Sequence, residues 1–366
     1  MSLNATTGLA CLVSLVLVAA CGSSGQGPGT ITAQEACADP QDCRLWEAGK
    51  VAGVNVGLAS SFPEGSQATE IALRESNIAN NHQFSWRAFE PTRDDYQFDE
   101  LERRAAVANE NDLPQNAFHF AWDNVFLDDF PNWVGEISDP EDLRRQLRER
   151  AEIIFERYPN LAKINVINEP LETLGTTGEL EKNHFYTVLG PDYIEELFRI
   201  VDARAPKRVE LVLNENFVEY FPLKAAGLVR LVRGLVEAGV PIDSVGFQTH
   251  LMLTELFGTE PDFDLLRATM EQVAALGVNV WISELDNPVD PTRENRFAYQ
   301  AENYRKVVEA CLSVPACTDI QIWGVQDTPF WFDVGYEDAA ALLFDENFEP
   351  KPAYFAVRDA LLKGRP

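Results

Sequence analysis

The sequence predicts a single parallel (β/α)₈ barrel, and three observations carry that prediction. Strand-like apolar runs alternate with amphipathic helical patterns eight times over roughly 320 residues, the rhythm of a barrel. No Gly-rich phosphate fingerprint follows the first strand, because Asn55-Val56-Gly57-Leu58-Ala59-Ser60 lacks the required glycines. That disfavours a doubly wound open sheet. Polar and aromatic residues also recur at or near the carboxyl ends of the strands: Trp122, Asn168, Glu169, Asn214, Glu215, Gln248, His250, Glu284 and Trp323. In a barrel those ends share one face.

The chain opens with an apolar run, residues 8–20, too short to span a bilayer comfortably. It leads into Val18-Ala19-Ala20-Cys21 and then small residues, the pattern of an export signal. This resembles a bacterial lipobox, so residues 1–21 are expected to act as a lipoprotein-type signal ending at an acylated Cys21. Residues 1–10 contain no Lys or Arg, a departure from the usual positive leader. Residues 22–44 are expected to form a flexible tether and short N-terminal segment, since 22–35 are rich in Gly, Ser and Thr. The barrel is expected to fill 45–366. A chain exported in this way would sit lipid-anchored at a bacterial envelope membrane, periplasmic or surface-exposed.

Within the barrel, strands are expected at 51–59, 82–86, 115–122, 163–168, 209–215, 244–251, 278–285 and 319–326. Helices are expected at about 68–77, 100–112, 141–158, 192–204, 222–239, 262–276, 293–313 and 352–363. Leu228, Leu231, Val232, Leu235 and Val236 show the 3.6-residue period behind these assignments. Gly239 and Gly277 stand where helices end before strands, a C-cap signal.

The chain carries 30 basic and 58 acidic residues, a net charge of −28. That field repels nucleic acid and anionic lipid and suits a solvated acidic surface. A hydrophobic content of 46% supplies a sizeable core. If Cys11 leaves with the signal and Cys21 is acylated, Cys37, Cys43, Cys311 and Cys317 remain. Local pairing, Cys37 with Cys43 and Cys311 with Cys317, is the simplest of three connectivities in an oxidising compartment. The four His residues, 82, 119, 184 and 250, are dispersed, so no zinc-site spacing exists and no metal site is expected.

Glu169 and Glu284 each end a short apolar strand, and two glutamates across a barrel mouth suit glycoside hydrolysis. One must be protonated to release the leaving sugar, while the other must be ionised. Asn168 stands beside the first, able to bond a sugar hydroxyl. Gln248 and His250 lie two apart and share a strand face, and His250 next to Glu284 would keep that carboxylate ionised. Trp122, Trp323 and Trp331 offer flat apolar faces on which sugar rings stack.

In these blocks the chain resembles the family 10 glycoside hydrolases, mostly endo-1,4-β-xylanases. The likeness runs from about Trp46 to Leu362 through Asn165-Val-Ile-Asn-Glu-Pro170, Gly190-Pro-Asp-Tyr-Ile194, Gly246-Phe-Gln-Thr-His-Leu251, Ile282-Ser-Glu-Leu-Asp286 and Trp323-Gly-Val-Gln-Asp327 with Trp331. Leu342-Leu-Phe-Asp345 and Lys351-Pro-Ala-Tyr354 follow. The resemblance implies a cofactor-free retaining reaction on xylan or a related β-linked saccharide, by a protein expected to be monomeric. It assigns Glu169 as acid/base, Glu284 as nucleophile, Asn168 to the hydroxyl on the second carbon, and His250 as partner of Glu284. Gln248, Trp122, Trp323 and Trp331 would line the cleft. The family also often carries a disulfide where Cys311 and Cys317 stand.

The departures lie on strands two and three. Where the family usually reads T-P-E-N-x-M-K-W, this chain has Ala79-Asn-Asn-His-Gln-Phe-Ser-Trp86, placing Asn81, His82 and Ser85 at the glycone-gripping positions. Where it reads R-G-H-T-x-x-W-H, this chain has Asn116-Ala-Phe-His-Phe-Ala-Trp-Asp123, with Phe118 in place of a sugar-binding histidine and Asp123 after Trp122. His119 would point the other way on a regular strand. Several charge-assisted bonds, each worth about 1.5–3 kcal/mol, are lost. Two alternatives therefore stand beside a xylanase: a β-glycosidase for a different glycan or glycoside, and a non-catalytic glycan-binding lipoprotein.

Overall fold

Eight parallel strands form the wall of the barrel: β1 (Asn55–Leu58), β2 (Ala79–Asn81), β3 (Gln115–Ala117), β4 (Leu161–Asn168), β5 (Glu210–Glu215), β6 (Ser244–Phe247), β7 (Asn279–Leu285) and β8 (Cys317–Ile322). The computed structural model describes residues 32–366 apart from 38, 40, 41, 125–129, 176, 329 and 330. The strands run β1-β8-β7-β6-β5-β4-β3-β2. Between β1 and β2 side chains take over from the ladder. The Val56 and Leu58 amides donate to Asn77 Oδ1 at 2.8 Å and Ser76 Oγ at 2.9 Å, and the Asn77 amide donates to the Val56 carbonyl at 2.9 Å. Gly57 permits this approach, since a Cβ there would meet Ile78 Cγ1 at 2.8 Å.

Eight helices follow the strands: α1 (Gln67–Glu75), α2 (Asp99–Glu110), α3 (Pro140–Arg157), α4 (Tyr193–Asp202), α5 (Pro222–Glu237), α6 (Phe263–Ala274), α7 (Arg296–Ser313) and α8 (Pro352–Lys363). Local chemistry starts them where the periodicity requires. Ser66, Asp139 and Asp262 accept N-terminal amides of α1, α3 and α6, with Pro140 opening α3. Glu75, at the end of α1, ties the helix that precedes β1 to α8. Its Oε2 accepts from the Leu45 amide at 2.9 Å and from Tyr354 Oη at 3.1 Å. The fold is the (β/α)₈ barrel that the sequence predicts.

Several boundaries differ from expectation, for identifiable reasons. Residues 51–52 end a helix, Leu45–Ala52, closed by Gly53 at φ +67, so β1 begins only at Asn55. The strand expected at 82–86 lies at 79–81 instead. The Asn81 carboxamide accepts from the Gln83 amide, and that local bond turns the chain into a 3₁₀ turn, His82–Phe84, rather than continuing the ladder. The segments expected to continue β3, β6 and β8 to residues 122, 251 and 326 leave the ladder at Ala117, Phe247 and Ile322. Their polar and aromatic residues form the rim.

Disulfides join Cys37 to Cys43 and Cys311 to Cys317, with Cα–Cα distances of 5.2 and 5.5 Å. The expected signal, the proposed acylation site Cys21 and residues 22–31 of the expected tether lie outside the described residues. The rest of that tether segment includes a helical turn, Ala33–Ala36, capped by Thr32. Among the described residues no helix is long and apolar enough to cross a membrane, and no cluster of His, Cys, Asp and Glu could hold a metal ion.

Candidate active site

Glu169 is presented by the end of β4. Its backbone has φ +50, a left-handed conformation that non-glycine residues rarely adopt and that concentrates at functional sites. The Glu169 amide donates to the Asn214 carbonyl at 2.8 Å, which holds that turn. Its Oε1 accepts from Gln248 Nε2 at 2.9 Å and from Asn168 Nδ2 at 3.2 Å. Burial is the largest influence on its acidity and pushes the pKa up to about 7; Gln248 opposes this, while the charges of Glu215 and Glu284 add to it. A carboxyl in that range can be a proton donor at neutral pH.

Glu284, near the end of β7, meets a different environment. Asn214 Nδ2 donates to its Oε1 at 2.6 Å, and His250 Nε2 lies 3.1 Å from its Oε2. His250 Nδ1 lies 2.9 Å from Asp286 Oδ2, which also accepts from Trp331 Nε1 at 2.8 Å. Burial alone would lower the His250 pKa, but Asp286 and then Glu284 outweigh it and hold the value at about 10. The ring is therefore an imidazolium at neutral pH, donating from both nitrogens to flanking carboxylates.

Asn214 on β5 connects the two halves. One Nδ2 serves both Glu284 and Asn168 Oδ1, the latter at 2.8 Å, while Ser283 Oγ donates to Asn214 Oδ1 at 2.6 Å. This requires an empty space at Gly246, where a Cβ would stand 2.2 Å from Asn214 Oδ1. Gly246→Ala is expected to displace Asn214 and to lower kcat about 10- to 100-fold, with little change in thermal stability beyond roughly 1–3 kcal/mol for overpacking. Steady-state kinetics beside thermal unfolding would check it.

Under the site lies an ion pair with no exposure, Lys224 Nζ to Glu215 Oε1 at 2.9 Å. Glu215 Oε2 accepts from the Leu171 amide at 3.0 Å, and Lys224 reaches the Thr173 carbonyl at 3.2 Å. Together they fasten the loop that carries Glu169. Lys224→Met would leave a buried carboxylate unpaired, so a loss of about 3–5 kcal/mol in stability is expected by denaturant titration.

These groups face a cavity of about 720 Å³. Glu169, Glu284, Gln248, His250, Trp122, Trp323, Trp331 and His82 all line it, as the sequence reading places them. Asn168 is buried and works through Glu169, Asn214 and Gln248. Asn81 does not line the cavity, contrary to expectation. Its carboxamide is spent on the Gln83 amide and on the Leu101 carbonyl at 3.5 Å.

His119 is the converse case. It lines the cavity although a regular strand would turn it away. The β3 ladder stops at Ala117 and resumes as a bridge from Ala121 to Ile167, so alternation does not apply between them. The ring stands 5.1 Å from His82 and 4.9 Å from Trp122, and Asn165 Nδ2 donates to its Nδ1 at 2.6 Å. Burial, then His82, pushes its pKa well below 6.5, so it is a neutral hydrogen-bonding group. Phe118 packs beneath, 5.4 Å from Trp323 and 5.9 Å from Trp281. Asn214, Asp286 and His119 are the contributors that sequence reasoning left out of the site. Asn214 and Asp286 do stand at strand ends, which was the available signal.

A (β/α)₈ barrel whose mouth sets a buried glutamate of raised pKa opposite a second glutamate bonded to His250, walled by tryptophan, defines a glycoside hydrolase. Comparison with known proteins agrees. Glycosyl hydrolase family 10 matches residues 45–360, and the chain belongs to that family. It is 30% identical over 334 residues to endo-1,4-beta-xylanase B of Thermotoga neapolitana, covering 88% of this chain and 92% of that protein. It is 30% identical to endo-1,4-beta-xylanase 2 of Aureobasidium pullulans, covering 77% and 78%. Among solved structures, native xylanase 10B from Thermotoga maritima superposes with a TM-score of 0.78 at 30% identity, covering 87% of this chain and 98% of that one. Xylanase 10B from Thermotoga petrophila RKU-1 in complex with xylobiose gives 0.78 at 29%, covering 88% and 98%.

Proposed function

We propose that the protein is a retaining β-glycosidase that cleaves xylan or xylo-oligosaccharides by double displacement. The observation that carries this is the contrast between the two glutamates: Glu169 is held near pH 7 in its proton-bearing range, whereas Glu284 faces a cationic His250 at 3.1 Å. Glu284 attacks the anomeric carbon as Glu169 gives its proton to the glycosidic oxygen, so a glycosyl–oxygen bond to Glu284 forms while the bond to the leaving group breaks. Glu169, now ionised, takes a proton from water as that water displaces Glu284, which returns both groups to their starting states. The cycle uses no cofactor. Asn168 and Gln248 position Glu169, and Trp122, Trp323 and Trp331 supply stacking faces.

His82 and His119 stand where the family places other groups. They favour a saccharide held by hydrogen bonds to imidazole edges, and leave its identity to a substrate screen. Xylan, β-glucan, cellulose and aryl β-glycosides should be compared side by side, with product configuration followed by NMR. Release of the β-anomer first, with a 2-fluoro glycoside labelling Glu284, is the expected result. Initial release of the α-anomer would overturn the retaining mechanism.

The apolar run ending at Cys21 and the two disulfides support export to an oxidising compartment with a lipid anchor. Metabolic labelling with a fatty acid, lost in Cys21→Ala, tests that anchor.

A further inference from the structure

Glu169 follows β4 and Glu284 belongs to β7, so the cavity divides into a half bordered by β5 and β6 and a half bordered by β8, β1, β2 and β3. The two halves differ in chemistry. The β8-to-β3 half carries imidazoles and indoles, His82, His119, Trp122, Trp323 and Trp331, which combine ring faces with polar edges. The other half is walled by Leu174, Phe217, Met252, Leu253, Leu256 and Phe257. Beyond Glu169, Gln248 and His250, which are engaged with one another or with Glu284, Asp286 and Asn168, its polar contributors among the described residues are Thr173 and Asn216, and the Asn216 oxygen already accepts from Lys224.

Exposure points the same way. Six large hydrophobic side chains are exposed among the described residues, and Leu174, Phe257, Trp331 and Phe332 are four of them. All four line this one cavity. Leu174 is 52% and Phe257 64% exposed, on a chain whose net charge is −28. Apolar surface gathered at a single mouth on so charged a protein marks a contact surface. The wall is also braced. Lys224 holds the Thr173 carbonyl beside Leu174, and the helical turn Leu253–Phe257 is closed by Gly258 at φ +67, whose amide donates to the Thr254 carbonyl at 2.8 Å. Among the described residues no Lys, Arg or Asp lines the cavity, and the imidazolium of His250 is already bonded to Glu284 and Asp286.

We propose that the β4–β6 half is a leaving-group site that also accepts an apolar, uncharged aglycone, so that beside xylo-oligosaccharides the enzyme acts on β-glycosides whose sugar is joined to an alkyl or aryl group. This rests on the glycosidase reading above and specifies what that site accepts. The sugar lies against the indoles and imidazoles, and the aglycone lies on Leu253, Leu256 and Phe257, next to the proton of Glu169.

The test is calorimetric binding of a non-hydrolysable series, methyl to hexyl 1-thio-β-xylobioside, to the full-length protein. On a half-open apolar wall each methylene should raise affinity roughly twofold, so about thirtyfold from methyl to hexyl. The double variant Leu174→Ser/Phe257→Ser should flatten that gradient, while Phe355→Ser, an exposed aromatic that does not line the cavity, should preserve it. Affinity independent of chain length, or a gradient undiminished in the double variant, overturns the proposal. Hydrolysis of the oxygen-linked series is read separately. A preserved affinity gradient without any turnover supports the apolar site and counts against the hydrolytic reading instead.

Discussion

Glu284→Gln is expected to reduce kcat by about 10⁴- to 10⁶-fold on every substrate the protein turns over, because removing a nucleophile eliminates the covalent route. The substitution preserves volume and keeps an oxygen for Asn214 Nδ2, the donor 2.6 Å away. It removes the charge that His250 faces at 3.1 Å, leaving Asp286 as the remaining carboxylate on that ring. The loss should therefore be catalytic and not structural, with KM shifting little. Absence of 2-fluoro glycoside labelling in the variant, seen by intact mass, distinguishes a lost nucleophile from a lost fold. Retention of more than about a tenth of kcat would remove Glu284 from the nucleophile role.

Glu169→Gln is expected to lose about 10²- to 10⁴-fold on natural glycosides, the usual range for a general acid. The loss should shrink sharply for nitrophenyl glycosides in the first step, since a good leaving group needs no proton. The wild-type rate should fall as pH rises through about 7, where the acid is lost, and the variant should lack that limb. A stability effect of opposite sign accompanies it. The folded-state pKa of Glu169 is raised from its ordinary value of 4.5 to about 7, so its contribution is fully present below about 4.5 and is lost as pH rises through 7. Above that pH a buried charge opposes folding. Glu169→Gln should then be the more stable protein at pH 8, by up to about 3 kcal/mol. Unfolding curves at pH 5 and pH 8 give the comparison; a variant less stable than wild type at pH 8 would contradict the assigned environment.

The barrel was legible because its signals are local and periodic. Leu228, Leu231, Val232 and Leu235 repeat at helical spacing on α5, and six of the eight strand assignments lie close to the observed ones apart from ragged carboxyl ends. Those ends were overextended for one reason. Rim residues such as Gln248 and Trp323 have strand-like neighbours in sequence, but they leave the ladder to face the cavity. The displaced β2 shows a different limit. Whether the Asn81 carboxamide caps a turn or reaches a sugar depends on a hydrogen bond two residues away, which composition does not reveal.

The sequence by itself determined the chemistry available: two glutamates at strand ends, a histidine spaced to share a face with Gln248, and indoles near the same rim. Pattern and residue type are enough for that, since strand alternation decides which side chains share a face. Only the tertiary structure decided how those groups are differentiated. Burial makes Glu169 an acid near neutrality, and Asp286, held by Trp331, makes His250 a cation beside Glu284. Asn214 joins the two sides across a gap that Gly246 leaves open. Each of these depends on desolvation and on distances between strands far apart in sequence, and such quantities exist only once the barrel has closed.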